Sequence, residues 1–118
     1  ILMAVSVIKN DNFPNAVAPT IANPLFTQLQ GGYQRKGKQV IVNLGVYVNG
    51  TFNANDYFTV FDNLPIPNVQ VALAVATHSN KGKGASATVQ NNGRIRVDSG
   101  VSALSYETLY ISGIYTTA

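Results

Sequence analysis

Between residues 39 and 48 the chain reads Q-V-I-V-N-L-G-V-Y-V, with Val40, Val42, Leu44, Val46 and Val48 at every second position. Side chains of a strand alternate between its two faces, so this period predicts a β-strand with five aliphatic residues on one side. Ile41, Asn43, Gly45 and Tyr47 form the other side, a mixed surface that predicts partial cover. Ahead of the strand, Arg35-Lys36-Gly37-Lys38 reads as a basic turn whose glycine can take positive φ. Residues 69–77 predict a second long strand, with Val69, Val71, Leu73 and Val75 on one face and Ala72, Ala74 and Ala76 on the other. A row of alanines facing one way implies a closely packed neighbour, either large residues inside a sandwich or another subunit.

Shorter elements fill the remainder. Residues 1–10 predict a strand with Met3, Val5 and Val7 on one face. Residues 11–30, with Pro14, Pro19 and Pro24, predict an irregular segment up to the Gly31-Gly32 pair. Residues 57–61 predict an aromatic strand with Tyr57, Thr59 and Phe61 on one side. The prolines of Leu64-Pro65-Ile66-Pro67 lack an N–H, so this segment predicts an edge or a crossover between layers. Around Asn91-Asn92-Gly93, a two-residue turn would mix core and surface positions. A three-residue loop with Gly93 left-handed pairs Val89 with Ile95 and Ala87 with Val97, and so keeps the apolar residues together. It also gathers Ser86, Thr88, Gln90, Arg94, Arg96 and Asp98 on the opposite face. Residues 104–115 supply the last strand or strands, with Ser112-Gly113 expected as a bulge or bend. No stretch carries a helical period, and the spacing of short strands predicts an all-β fold, a small antiparallel β-sandwich or Greek-key β-barrel.

Composition narrows the function. Charged residues are 11% of the 118, against roughly 25% in an average globular chain. The surface is therefore poor in ions, being covered by Asn, Ser, Thr and Gln or hidden in an oligomer. A net charge of +3, without basic and aromatic residues interleaved on one strand, argues against a nucleic-acid module. The chain has no cysteine and one histidine, His78, which leaves neither disulfides nor a usual zinc site. The apolar residues 1–8 are too short to span a bilayer, so membrane insertion is not expected. Five scattered acids offer no compelling pair for glycoside hydrolysis, Asp98 with Glu107 being the one conceivable meeting. No nucleophile elbow, phosphate loop or calcium loop is present, so no catalytic residue, cofactor or metal is expected. Tyr106, Tyr110 and Tyr115 suit stacking on sugars, filling an interface or capping the barrel ends, and the polar hairpin face could hydrogen-bond a polyhydroxylated or phosphorylated ligand.

From Tyr33-Gln34-Arg35-Lys36-Gly37-Lys38-Gln39-Val40, through Leu64-Pro65 and the Asn-Gly hairpin to Ser112-Gly113-Ile114-Tyr115, the order of features resembles the C-terminal head domain of phage tail receptor-binding proteins, nearest to those of lactococcal siphophages. The likeness covers residues 31–118. It implies that residues 1–30 are a strand and irregular connection from a preceding neck, and that 31–118 form the receptor-binding β-barrel head. It further implies a homotrimer at the virion's tail tip or baseplate, attached to baseplate proteins through a preceding part, that recognises host cell-wall saccharide without cleaving it. The family's site uses a His and an Asp before this hairpin, a Trp after it and an Arg near the closing G-x-Y. The matching positions here are Ser86 and Thr88, then Val97 or Asp98, then Tyr110, and none is kept. The expected saccharide site in the same neighbourhood comprises Ser86, Thr88, Arg96, Asp98 and Tyr110. A monomeric carbohydrate-binding module of a secreted bacterial enzyme and a purely structural virion domain are the competing readings.

Overall fold

A computed structural model of the chain describes residues 16–77 and 84–118. The expected strand at residues 1–10 and the loop containing His78 lie outside the described residues. Eight strands follow in order: β1 (Thr20–Ile21), β2 (Phe26–Lys36), β3 (Gln39–Val48), β4 (Tyr57–Asp62), β5 (Val71–Thr77), β6 (Ser86–Val89), β7 (Ile95–Asp98) and β8 (Thr108–Thr116). They form one antiparallel sheet in the order β1-β4-β7-β6-β5-β8-β3-β2, with no helix among the described residues. Strands β5, β6 and β7 run as a meander and β8 returns beside β5, which is the Greek-key arrangement. The expected fold class is therefore the observed one, and its form is a nearly closed barrel.

Strand β3 is the spine of this barrel. Val40, Val42, Leu44, Val46 and Val48 are all buried, facing Val60, Phe61, Ala87, Val89, Ile95 and Val97 in one core. The Asn91-Asn92-Gly93 loop has the register its apolar pattern requires: Val89 pairs with Ile95 and Ala87 with Val97, and Gly93 sits at φ +80°. Gly37 likewise takes a left-handed φ, +61°, in the turn joining β2 to β3.

The seam between the outer strands is closed by the chain ahead of β1. Val17 exchanges two backbone hydrogen bonds with Tyr33 of β2, at 2.8 and 2.9 Å, while Thr20 and Ile21 pair with Asp62 and Phe61 of β4. One short segment thus touches both edges that a flat sheet would leave unpaired. Gly32 permits this approach, because a Cβ there would run into the Val17 carbonyl oxygen.

Four expectations are corrected. Residues 26–30 are strand rather than irregular, being the first five residues of β2. A register shift between Gln28 and Gln30, together with Gly31 at φ +84°, breaks the alternation and hides the strand from a pattern reading. In β4, Tyr57 and Thr59 do not share a face with Phe61. A bulge at Val60 takes the register from Thr59 opposite Arg96 to Phe61 opposite Ile95, leaving Tyr57 exposed and Phe61 in the core. Ser112-Gly113 is neither bulge nor bend, since β8 runs in unbroken register with β3. Gly113 instead makes room for Leu73, whose Cδ2 would lie 2.6 Å from an added Cβ. Finally, Ala72, Ala74 and Ala76 face outward and are exposed, while Leu73 faces the core, so large residues of a sandwich interior do not explain them.

Replacing Gly32 by Val is expected to lower unfolding stability by roughly 2–4 kcal/mol, measured by urea denaturation, because the seam must open. A second expectation concerns Tyr115, which is buried and donates its hydroxyl to the Pro65 carbonyl at 2.8 Å. Burial, and secondarily Tyr33, push its phenol from 10.0 up to about 12, against an opposing effect of Arg35. The folded state therefore favours the protonated phenol. Its stabilisation is complete below the unfolded pKa near 10 and is lost as pH rises towards about 12. Melting temperatures across this window should fall less steeply for Tyr115→Phe than for the wild type.

Candidate functional site

Strand alternation and the Val60 bulge together assemble a polar cluster on the outside of β4, β7 and β6. Tyr57 pairs with Asp98, Asp98 with Ser86, and Arg96 with both Thr59 and Thr88. Arg96 donates from Nε and Nη2 to the two oxygens of Asp98 at 2.9 and 3.0 Å, a bidentate contact between residues two apart on one strand. Its guanidinium also lies over the Tyr57 ring, with Cζ 3.7 Å from the centroid. The hydrogen bond to Asp98, and the nearby negative charge of that group, hold the Arg96 pKa above its ordinary value. Tyr57 itself is 59% exposed. Beneath it the next residue, Phe58, turns inward and meets Phe52 edge-to-face at 4.9 Å, which fixes the backbone that presents the tyrosine.

Beside this cluster is an open depression of about 300 Å³ lined by Asn55, Asp56, Gly84, Ser86, Asp98 and Gly100. Buried Ser99 pins its floor. Ser99 Oγ donates to the Asn53 carbonyl at 2.7 Å and accepts from the Asp56 N–H at 3.1 Å. Asn55 takes φ +64° and donates its N–H to the Gly100 carbonyl. Gly100, at φ +74°, approaches Gly84 so closely that a Cβ would strike the Gly84 carbonyl oxygen. Hydroxyl, amide and carboxylate groups thus ring a shallow basin, and Tyr57 follows its lining residue Asp56 and pairs with its lining residue Asp98, an arrangement able to bind a polar ligand. Among the described residues, no three His, Cys, Asp or Glu side chains converge as metal ligands.

Of the residues expected at a saccharide site, Ser86, Thr88, Arg96 and Asp98 come together and Tyr110 does not. Tyr110 is exposed on β8 opposite Ala76, three strands from β7, which is about 14 Å across a sheet of ordinary strand spacing. It belongs to a different surface, with Ala72, Ala74, Ala76, Ser112 and Ile114. The aromatic beside the cluster is Tyr57, which the sequence reading assigned to a face shared with Phe61. The odd spacing that an extra residue at Val60 creates leaves no trace in a strict period of two. Of the two positions considered for the family's tryptophan, Val97 is in the core and Asp98 faces outward. Asp98 is engaged by Arg96, and Glu107 is buried at the turn before β8.

The strand register also gives the barrel a polarity. Tyr57, Ser86, Asp98 and the basin lie at the end where β3 finishes and β8 begins. Ala16 and Ala118 lie toward the opposite end, near the β2–β3 turn, where Thr117 donates its N–H to the Lys38 carbonyl. No protein family, curated protein or solved structure matches this chain.

Tyr106 stands at the basin's end of the barrel in a turn closed by Glu107 N–H to the Leu104 carbonyl. Its φ is +57° and it is 63% exposed, so its left-handed backbone is strained without burial to offset the strain. Tyr106→Gly is expected to raise unfolding stability by roughly 1 kcal/mol in chemical denaturation.

Proposed function

We propose that this chain is a non-catalytic adhesion head that recognises a cell-wall saccharide, of the kind carried at a phage tail tip or baseplate. The observation that carries this reading is the exposed Tyr57–Arg96–Asp98 cluster beside an open basin of Asn, Asp, Ser and glycine residues. A sugar presents an apolar ring face and a belt of hydroxyls. The free face of Tyr57 suits the first, and Asn55, Asp56, Ser86 and Asp98 suit the second.

Two further observations support a head displayed on a larger assembly. The basin lies at the end of the barrel remote from Ala16 and Ala118, so a chain anchored there would point the basin outward. The exposed alanines of β5, with Tyr110 and Ile114 of β8, make a low-relief apolar face suited to a subunit contact, and a homotrimer buries such faces in closed symmetry. Repetition of heads would compensate for a weak individual site through avidity. The competing reading is a monomeric carbohydrate-binding module, for which the same exposed tyrosine and polar basin would serve.

Light scattering separates the two. The adhesion reading expects a mass of three subunits, reduced to one by Ala74→Arg, and expects Tyr57→Ala to abolish adsorption to host cells while leaving that mass unchanged. A wild-type monomer that still binds wall polysaccharide would make the carbohydrate-binding module the correct reading.

A further inference from the structure

We infer that the basin selects neutral saccharides over phosphorylated ones, an inference that rests on the saccharide-binding reading above and specifies its ligand. Sequence alone makes Arg96 the natural partner of a phosphate, because its planar fork matches two phosphate oxygens. The geometry removes that role. The Nε and Nη2 edge that would form the fork already holds both oxygens of Asp98, at 2.9 and 3.0 Å. The flat face of the guanidinium is covered on one side by the Tyr57 ring at 3.7 Å. An incoming phosphate would have to displace a carboxylate from a bidentate contact and then lie beside it.

The charges around the basin point the same way. Among the described residues, Asp56 and Asp98 line it and Arg96 is the neighbouring cation, so these three carry one net negative charge. The other described arginine on the same face, Arg94, is 3.5 Å from Asp62, toward the far end of the hairpin. Lys81 and Lys83, which precede Gly84, lie outside the described residues. An anion brought into the basin meets the like charges of Asp56 and Asp98, which costs binding energy and suppresses the wrong partner. A neutral sugar meets no such opposition. The N–H groups of Arg96 that do not face Asp98, the carboxylate of Asp56, the amide of Asn55 and the hydroxyl of Ser86 can each exchange a hydrogen bond with a sugar hydroxyl. Asp98 acts here in two ways, accepting hydrogen bonds and neutralising the arginine.

Saturation-transfer NMR on the intact chain tests this with rhamnose, galactose, glucose and N-acetylglucosamine, each as the free sugar and as its 1-phosphate. The expected result is transfer to at least one free sugar, severalfold weaker transfer to the matching 1-phosphate, and loss of both in Tyr57→Ala. Asp98→Asn, which releases the Arg96 fork and removes one negative charge, should reverse the preference toward the 1-phosphate. Stronger binding of a 1-phosphate than of its free sugar by the wild type overturns the inference and leaves saccharide recognition standing. Binding that survives Tyr57→Ala places the ligand elsewhere and also overturns it. If no member of the panel binds the wild type, the saccharide reading itself fails, and the preference falls with it.

Discussion

The constraint on which the rest depends is that a sheet with one apolar face must bring that face against itself. In this chain the inward row of β3, from Val40 to Val48, has no helix among the described residues to cover it and must be buried by other strands of the same sheet. Closure supplies that cover, and closure in turn demands a seam. The residues from Val17 to Ile21 provide it by pairing with β2 on one side and β4 on the other. The seam needs Gly32 for its close approach, and β2 needs Gly31 and a register shift to curve into place. The core, the curvature and the glycines are therefore one requirement expressed at three scales.

How much of this was legible in the sequence follows from how strictly each strand keeps its period. Strand β3 and the β6–β7 hairpin obey alternation without interruption, and their faces and register could be read from residue types alone. Where a strand is bulged, the pattern fails. The extra residue at Val60 sends Tyr57 outward while Phe61 goes in, and the shift at Gln28/Gln30 made a genuine strand look irregular. Gly113 misled in the opposite direction. It resembles a bend locally, yet its cause is a leucine on a neighbouring strand, and no local reading contains that information.

The same distinction explains the site. Four of the five expected residues share a face because they sit on the legible hairpin, and their meeting needed only a correct loop length. Tyr57 arrives from β4 through a bulge and a crossover in strand order, both long-range facts. Tyr110 was attractive as an exposed aromatic, but strand order places β5 and β6 between it and the charged pair. Residues of the cluster contribute little to the core, which Phe58 and Ile95 anchor from the other side of the same strands. The core and the polar cluster thus occupy opposite faces of β4 and β7.

The polarity of the barrel has a practical side. Because Ala118 sits near the β2–β3 turn and the basin opens at the other end, a tag appended after Ala118 can tether the protein to a sensor surface with the basin facing the flowing solution. The absence of cysteine leaves a single introduced thiol at that position as a unique point of attachment. An oriented layer made in this way would present every copy alike and at controlled spacing, so that the contribution of one site can be told from that of many held together.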